Sequence, residues 1–266
     1  MIQLAKKYQL AIQASIDASR AIIDIYNSNI EVEIKTDGSP VTQADLKASE
    51  IISKYLSQTS IPIIGEERSK ETFSVRSKWK ENWCVDPLDG TKMFIEKNGE
   101  FAVNIAHIKN GKAVFGLIAS PVRKKIILAL KGEGVYTFNF NLFNDPSAWH
   151  KVSERSTMNS PAIIACSRSY SKINNPSIIE IESKHGKVIF LKMGSSLKFF
   201  ELADGGADFY IRLDPTMEWD IAPGQAIIEE LGGEIIDLKN GEPLQYNKRS
   251  LFNPAFIVKT KATLKA

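Results

Sequence analysis

Two carboxylates three residues apart stand in the segment Asp86-Pro87-Leu88-Asp89-Gly90-Thr91, directly after the apolar run Trp83-Cys84-Val85. The apolar run predicts a buried strand, and the Gly-Thr pair predicts a turn whose free backbone N–H groups can face an anion. Carboxylates repel an anion such as phosphate. The carboxylates and the anion-binding turn can therefore serve one site only if cations lie between the carboxylates and the anion. Carboxylate and carbonyl oxygens are hard ligands that favour Mg²⁺ over Zn²⁺. A plain turn is the alternative, since Asp-Pro and Asp-Gly are common turn dipeptides.

Two further acidic motifs stand at the ends of apolar elements. Gly65-Glu66-Glu67 ends the apolar run 61–64, and Glu218-Trp219-Asp220 stands just before the apolar stretch 221–228, which predicts a helix. Each motif has a structural alternative, the first as a solvated strand end and Asp220 as a helix N-cap. Three acidic motifs in the same kind of position together favour a metal site.

In the order of these motifs the chain resembles the lithium-sensitive, magnesium-dependent sugar and nucleotide phosphatases, the family of inositol monophosphatase and fructose-1,6-bisphosphatase. The family pattern is an Asp, then Glu-Glu, then Asp-Pro-Ile/Leu-Asp-Gly-Thr/Ser, then Trp-Asp. Here it reads as Asp45, Glu66-Glu67, residues 86–91 and Trp219-Asp220. The resemblance runs from the first predicted helix to nearly the last residue. Within the family, the CysQ-type 3′(2′),5′-bisphosphate nucleotidases are most similar. The segments that carry this finer resemblance are 39–45, 98–106, 194–199, 241–247 and 253–254.

The resemblance implies a magnesium centre of two to three ions. Asp86 would bridge two of them. Its partners at the first ion would be Glu66 and the Leu88 carbonyl oxygen, and at the second ion Asp89 and Asp220. A third, weaker ion would rest on Glu66 and water, which also makes Glu66 a catalytic residue.

The same resemblance implies hydrolysis of a phosphate monoester by a metal-activated water. Thr91 would orient the water, Asp45 would accept a proton from the Thr91–water pair, and the N–H groups of Gly90 and Thr91 would hold phosphate oxygens. Glu67 fits a supporting role better than a ligand role. For Asp45 an alternative stays open, because Thr42-x-x-Asp45 matches a helix capping box.

The substrate residues are also implied by position. Ser195, Lys198 and Arg212 correspond to residues that contact the sugar and the remaining phosphate of the nucleotide in the CysQ-type branch. Ser167 and Arg168 are candidates for a contact with the base. A solvated charge is the alternative for each of the three basic side chains. Residues of the metal motifs would contact the scissile phosphate as well: Glu66, Leu88, Asp89, Gly90, Thr91 and Asp220.

The sequence therefore predicts an enzyme that hydrolyses adenosine 3′,5′-bisphosphate to AMP and phosphate. This substrate is the by-product of sulfate assimilation or sulfotransfer that the enzyme would clear. An inositol or sugar monophosphatase on the same scaffold is the nearest alternative. A non-catalytic regulatory protein that binds Mg²⁺ and phosphate is a second. The intact water-activating pair argues against the regulatory protein. The preference for a 3′ or 2′ phosphate, and for a sulfated or unsulfated nucleotide, stays open.

Helices and strands alternate along the chain without repeats, which predicts an α/β protein. Apolar residues at helical spacing predict a helix over about 3–28 and a second one from Thr42. Short turns separate strand-like runs at 101–108, 113–119, 125–130 and 135–138, so these predict antiparallel neighbours. The loose stretch 139–161 predicts a boundary between two halves, 1–150 and 151–266, with the site in the cleft between them. The resemblance implies a layered α-β-α-β-α sandwich with mixed and antiparallel sheets.

The amino-acid composition agrees with these expectations and excludes few other classes of protein. The chain has 266 residues, a net charge of +3 and two cysteines, and no Cys/His spacing typical of zinc. The small charge does not favour nucleic acid as a partner. No apolar run approaches the roughly 18–20 residues of a membrane span, and no signal-peptide pattern is present. A small phosphorylated nucleotide is the expected partner, the protein a monomer or homodimer, and the location cytoplasmic, with attachment to the inner membrane face left open.

Overall fold

The computed structural model describes residues 4–28, 30–36, 38–170 and 175–266. Helices in this part of the chain range from single turns to six turns. They are α1 (Lys6–Tyr26), α2 (Gln43–Leu56), α3 (Phe73–Arg76), α4 (Thr91–Ile95), α5 (Pro176–His185), α6 (Lys198–Asp204), α7 (Glu218–Glu230) and α8 (Lys261–Leu264). The prediction of a first helix over about 3–28 is met within a few residues, and residue 3 lies outside the described part.

The longer strands all lie in the first half of the chain, together with some short ones, and the later strands are short. The strands before residue 150 are β1 (Val32–Ile34), β2 (Pro40–Thr42), β3 (Ile63–Gly65), β4 (Glu81–Asp89), β5 (Ala102–Lys109), β6 (Lys112–Ser120), β7 (Lys125–Leu130) and β8 (Gly134–Asn139). The later strands are β9 (His150–Val152), β10 (Ile163–Cys166), β11 (Ile189–Lys192), β12 (Phe209–Arg212), β13 (Thr216–Met217), β14 (Glu234–Asp237), β15 (Phe252–Asn253) and β16 (Phe256–Lys259).

Two large sheets organise the molecule. One has the order β3-β4-β5-β6-β7-β8-β9, parallel only between β3 and β4. The other has the order β11-β10-β12-β16-β14, with β10 parallel to both neighbours and β16 antiparallel to both of its own. Helices α1 and α2 pack outside the first sheet, α6 and α7 lie between the sheets, and α5 packs outside the second. This confirms the predicted layered sandwich of mixed and antiparallel sheets.

The outer helices bury one face each. Buried residues of α1, such as Ala11, Ile12 and Ile22, recur at the three- and four-residue spacing of an amphipathic helix. They pack with Ala48 and Ile52 of α2 and the near face of the first sheet. The positions of Asp45 on α2 and of the motif strand β4 are therefore fixed by one shared core.

The middle layer is thin because small residues line the sheet where α7 crosses it. Ala106, Gly116 and Ala129 are neighbours across β5, β6 and β7. A Cβ added to Gly116 would lie 2.2 Å from the carbonyl oxygen of Pro223 in α7, so glycine alone allows this approach. Close packing of α7 brings its first turn, with Trp219 and Asp220, against the end of β4.

Two elements differ from the sequence predictions. The stretch 139–161, predicted as loose, contains β9, which adds a seventh strand to the first sheet. Helix α5 was not predicted, although Asn175 caps its N-terminus through the Ser177 N–H and Pro176 follows at the first helical position. The division into halves at residue 150 stays a prediction.

Within the described residues, none of the helices is long and apolar enough to cross a membrane. Cys84 and Cys166 are both buried and free.

Candidate active site

The motif strand β4 continues through Asp86 to Asp89, whereas the sequence predicted that the strand would end before Asp86. Pairing with β5 places Asp86 opposite Asn104 and Asp89 opposite Ala102, so β4 carries one extra residue between them. Such a bulge bends a strand and redirects its side chains. The N–H of Leu88 donates to Oδ1 of Asp86 at 2.9 Å across the bulge. The bulge explains how two carboxylates three residues apart reach the same cleft.

Gly90 follows the bulge with φ of +96°. A Cβ at this position would lie 2.9 Å from the carbonyl oxygen of Glu100, so both the backbone conformation and the space require glycine. The turn places Thr91 at the start of α4.

Three carboxylates converge at the cleft. Oxygens of Glu66, Asp86 and Asp220 all lie within 4.8 Å of one another. Glu66 follows β3, Asp86 lies on β4, and Asp220 lies in the first turn of α7, which begins before the stretch 221–228 that was predicted as helix. Burial, together with the charge of Glu66, raises the pKa of Asp86 well above its usual range, and burial with the charge of Asp89 does the same for Asp220. An all-oxygen group of mutually repelling carboxylates fits a hard divalent cation such as Mg²⁺.

Glu66 is held from both sides. Its Oε2 accepts a hydrogen bond of 3.1 Å from the indole Nε1 of Trp219, and its Oε1 lies 3.1 Å from Nζ of Lys35. Lys35 also pairs closely with Glu67. Burial alone would lower the pKa of Lys35, but its bonds and charge contacts with Glu67 and Glu66 raise it to about 12. Glu67 is thus engaged with Lys35 and lies outside the three-carboxylate group, and its supporting role stays a prediction.

Asp89 lies beside the group of three, and its Oδ2 is occupied by the protein. It accepts from Ser195 Oγ at 3.0 Å and from the Ser196 N–H at 2.5 Å. Both serines come from the second half of the chain, in the segment before α6. The charge of Asp89 raises the pKa of both Asp86 and Asp220, so Asp89 belongs to the same electrostatic unit.

Thr91 and Asp45 are in contact. Thr91 Oγ1 donates to Oδ1 of Asp45 at 2.9 Å and lies 3.3 Å from the Leu88 carbonyl oxygen. Oδ2 of Asp45 accepts from the N–H of Thr42 at 2.8 Å and from its hydroxyl at 2.6 Å, so the capping box is also formed. The two interpretations of Asp45 therefore use different oxygens of one carboxylate. Burial raises the pKa of Asp45 to about 6, against the lowering effect of its hydrogen bonds from Thr42 and Thr91.

A cleft of about 140 Å³ adjoins the carboxylates and brings the predicted substrate residues together. Its lining includes Asp89, Ser167, Ser195, Lys198, Arg212 and Asp220. Lys198 is only 3% exposed, and its Nζ donates to the carbonyl oxygens of Met193 at 3.1 Å and Ser195 at 2.5 Å. Burial lowers the pKa of Lys198 to about 8. Arg212 is less buried and donates from Nε to the Asp214 carbonyl oxygen at 3.2 Å.

Arg168 is not among the residues that line this cleft. Its Nε donates to Oε2 of Glu100 at 2.6 Å, and the guanidinium makes a second close contact with Oε1. Glu100 also accepts from the Gly194 N–H at 2.7 Å. This ion pair joins the segment before β5 to the segment after β10.

Sequence reasoning assigned no role to Glu100, Asn104, Ser196 or Lys35. Glu100, Asn104 and Ser196 lie in segments that carry the finer resemblance, which was the available signal. A larger cleft of about 620 Å³ lies between α1 and the β6–β7 turn, and Arg20 and Lys124 line it. None of the clustered carboxylates lines that cleft, so its size does not mark it as the site.

Comparison with known proteins agrees with the two-sheet sandwich described above. The model of the inositol monophosphatase family matches residues 3–265. The chain belongs to this family, which is magnesium-dependent, and the resemblance drawn from the sequence is confirmed.

Curated relatives and a solved structure are similar over nearly the whole chain. The 3′(2′),5′-bisphosphate nucleotidase CysQ of Shigella flexneri is 35% identical over 251 residues, covering 92% of this chain and 96% of its own. The protein of the same name from Buchnera aphidicola is 37% identical over 227 residues, covering 84% and 81%. The crystal structure of CysQ from Bacteroides thetaiotaomicron is 37% identical with a TM-score of 0.83, covering 96% and 98%.

Proposed function

We propose that this protein is a Mg²⁺-dependent phosphatase that hydrolyses the 3′-phosphate of adenosine 3′,5′-bisphosphate to give AMP and phosphate. The observation that carries the proposal is the group formed by Glu66, Asp86 and Asp220, whose oxygens lie within 4.8 Å of one another beside a cleft that holds Lys198 and Arg212. The similarity to proteins named 3′(2′),5′-bisphosphate nucleotidase supports the choice of substrate.

The proposed metal centre holds two to three ions. Glu66, Asp86 and the Leu88 carbonyl oxygen would hold the first, and Asp86, Asp89 and Asp220 the second. A third, weaker ion would bind at Glu66. Bound Mg²⁺ neutralises charge on the phosphate oxygens and lowers the pKa of water. The raised pKa values of Asp86 and Asp220 support this assignment, because a cation would relieve their repulsion.

In the proposed chemical step, Thr91 and Asp45 handle the proton. Thr91 Oγ1 already donates to Asp45 at 2.9 Å, so the Thr91 oxygen lone pairs are left to accept a hydrogen bond from a neighbouring water. When the water loses a proton to Thr91 Oγ1, Asp45 would take the proton that the Thr91 hydroxyl gives up in return. The N–H groups of Gly90 and Thr91, at the start of α4, would hold phosphate oxygens.

The second phosphate and the ribose would contact Ser195, Lys198 and Arg212. The positively charged side chains of Lys198 and Arg212 line one small cleft, which suits a phosphate that lies apart from the metal ions. Arg212 is the more accessible of the two, whereas Lys198 spends its hydrogen bonds on backbone carbonyls and contributes its charge from below the cleft surface. Ser167 also lines the cleft and would lie near the base.

We place the protein in the cytoplasm, since two buried free thiols suit a reducing compartment. Its proposed partner is the nucleotide alone, with no nucleic acid, and its proposed state a monomer or homodimer whose two halves, 1–150 and 151–266, form one catalytic unit. Attachment to the inner membrane face remains part of the proposal to be tested by fractionation.

Phosphate release measured in parallel from adenosine 3′,5′-bisphosphate, inositol 1-phosphate and fructose 1,6-bisphosphate tests the function. We expect Mg²⁺-dependent release that is fastest from the bisphosphate nucleotide and is inhibited by Li⁺. A preference for inositol phosphate would replace the substrate while keeping the metal chemistry. No release from any of the three would overturn the proposal in favour of a binding protein.

A further inference from the structure

Asn104, a residue of β5 with no solvent exposure, contacts two ligand-bearing segments at once. Its Nδ2 donates to Oδ2 of Asp89 at 3.3 Å and to the carbonyl oxygen of Trp219 at 3.4 Å, next to Asp220. Its Oδ1 accepts from the hydroxyl of Ser196 at 2.7 Å, and Ser196 is only 4% exposed. The amide of Asn104 therefore connects β4, α7 and the segment before α6.

The contacts around Asp89 treat its two oxygens differently. Oδ2 receives three donors, the Asn104 amide, the Ser195 hydroxyl and the Ser196 N–H. Three donors on one oxygen restrict the rotation of the carboxylate and leave Oδ1 as the oxygen available to a cation. Ser196 donates twice in this network, from its N–H to Asp89 and from its hydroxyl to Asn104, so it fixes both members.

We infer that Asn104 and Ser196 are positioning residues of the metal centre, which orient Asp89 toward the second ion and join it to the Trp219-Asp220 segment. The inference rests on the proposed function, because it takes Asp89 and Asp220 as ligands. Asn104 does not line the cleft, and Ser196, which does, directs both its N–H and its hydroxyl into this network. They act through Asp89, and their effect is on the affinity for the metal.

The segment that carries Ser196 is itself held in an unusual conformation. Ser195 has φ of +57°, which a residue with a side chain rarely adopts. Lys198 stabilises this conformation by donating to the carbonyl oxygens of Met193 and Ser195. A buried ammonium, a strained serine and a buried amide thus converge on the placement of one carboxylate. A purely packing role for Asn104 would need none of these.

Substitution of Asn104 by leucine tests the inference, since leucine keeps the number and branching of the side-chain heavy atoms and makes no hydrogen bonds. We expect the Kd of the substrate-free protein for Mg²⁺, measured by isothermal titration calorimetry, to rise about 10–100-fold, the usual effect of removing a group that orients a metal ligand. Turnover should fall at limiting Mg²⁺ and recover as Mg²⁺ is raised. The matched control is Asn82→Leu, because Asn82 is a buried asparagine at the other end of β4 whose amide donates to a backbone carbonyl.

Ser196→Ala is a second, milder variant that removes one hydroxyl and keeps the N–H bond to Asp89. It should weaken Mg²⁺ binding about 2–10-fold, the range for one neutral hydrogen bond. The double variant should bind no more weakly than Asn104→Leu, because the hydroxyl acts only through Asn104. If Asn104→Leu fails to fold, Ser196→Ala decides the question.

The possible outcomes distinguish a failure of the proposed metal centre from a failure of the positioning role. A wild-type protein that binds no Mg²⁺ overturns the proposed metal centre itself, and the positioning role with it. A wild-type protein that binds Mg²⁺ while both variants bind it equally well overturns the positioning role alone. A weakened Kd in both variants, with the Asn82 control unchanged, supports it.

Discussion

The indole Nε1 of Trp219 donates a hydrogen bond of 3.1 Å to Oε2 of Glu66, across 153 positions of sequence. The tryptophan of the Trp-Asp motif is therefore tied directly to the Glu-Glu motif. Lys70 lies over the same indole ring, with its Nζ 5.1 Å from the ring centroid. Trp219 thus combines a packing role in the middle layer with the orientation of a candidate metal ligand.

Trp219→Phe should weaken Mg²⁺ binding roughly tenfold, because it removes a hydrogen bond to an ionised carboxylate and keeps most of the ring packing. The dependence of turnover on Mg²⁺ concentration measures this. Trp149→Phe is the control, since the Trp149 indole donates to the Leu142 carbonyl oxygen, among residues outside the site. Equal Mg²⁺ dependence in the two variants would mean that Trp219 only packs.

Asp86→Asn should lose more activity than the same change at any other proposed ligand, because Asp86 is assigned to both ions. The metal-free variant should be at least as stable as the wild type. Burial and three neighbouring carboxylates raise the pKa of Asp86, so its charge destabilises the metal-free fold, and asparagine can still accept from the Leu88 N–H. Phosphate release and thermal melting in EDTA check the two parts. A variant that keeps a tenth of wild-type turnover at saturating Mg²⁺ would contradict the bridging assignment.

Thr91→Ala should lower kcat by about 10²–10⁴, the scale of general acid–base assistance, with little change in KM. Thr91→Ser keeps the hydroxyl that donates to Asp45 and should retain far more activity. Steady-state kinetics at saturating Mg²⁺ separate the two. Similar activity in both variants would leave Thr91 as a packing residue and Asp45 as a helix cap.

Arg212→Ala should reduce kcat/KM for adenosine 3′,5′-bisphosphate about 10–100-fold while a simple phosphomonoester is hydrolysed almost as before. The reason is that Arg212 is proposed to contact the phosphate that does not react. Arg20→Ala is the control for loss of an arginine, because Arg20 is exposed on α1 and pairs with Asp17. Lys198→Ala should also reduce hydrolysis of the nucleotide, but part of the loss should extend to the simple phosphomonoester, because the variant removes support from the 193–195 backbone that places Asp89. An equal loss on both substrates would assign Arg212 a structural role.

His107 should make the fold sensitive to mild acid. It is 1% exposed, and burial together with the charge of Lys7 lowers its pKa to about 4. The unfolded chain, with a histidine pKa near 6.5, binds more protons than the folded chain between these values. Stability from the neutral His107 is therefore complete above about pH 6.5 and is lost as pH falls toward 4, by up to about 3 kcal/mol.

Urea unfolding at pH 7 and pH 5 measures this effect. His107→Gln should reduce the loss of stability between the two pH values, and His150→Gln, at an exposed site, serves as the control. The same loss in wild type and His107→Gln would show that other groups carry the pH dependence.

Much of this architecture was predictable because its signals are local. The spacing of apolar residues gave α1 and α2, and short turns gave the antiparallel run β5 to β8. Features that depend on register or on distant contacts were not accessible. The extra residue between Asp86 and Asp89 appears only when β4 pairs with β5. The pair of Glu100 with Arg168 joins residues 68 positions apart, and no local pattern announces it.

Asp45 shows a different reason why sequence alone was ambiguous. From sequence, the capping box and the proton acceptor are alternative roles for Asp45, yet the capping contacts use Oδ2 and the Thr91 contact uses Oδ1. A carboxylate has room for both. The start of α7 was also not predictable from the sequence, because Trp219 and Asp220 precede the apolar stretch and do not themselves show a helical pattern.

The wide separation of Glu66 and Trp219 has a consequence for the protein during its synthesis. At about 5–20 residues per second, a ribosome needs roughly 8–30 s to pass from one to the other. During that interval the nascent chain carries Glu66, Asp86 and Asp89 without the partners that orient them. The protein would therefore become active only late in synthesis, when the last third of the chain packs against the rest. A stalled or truncated product would be inactive.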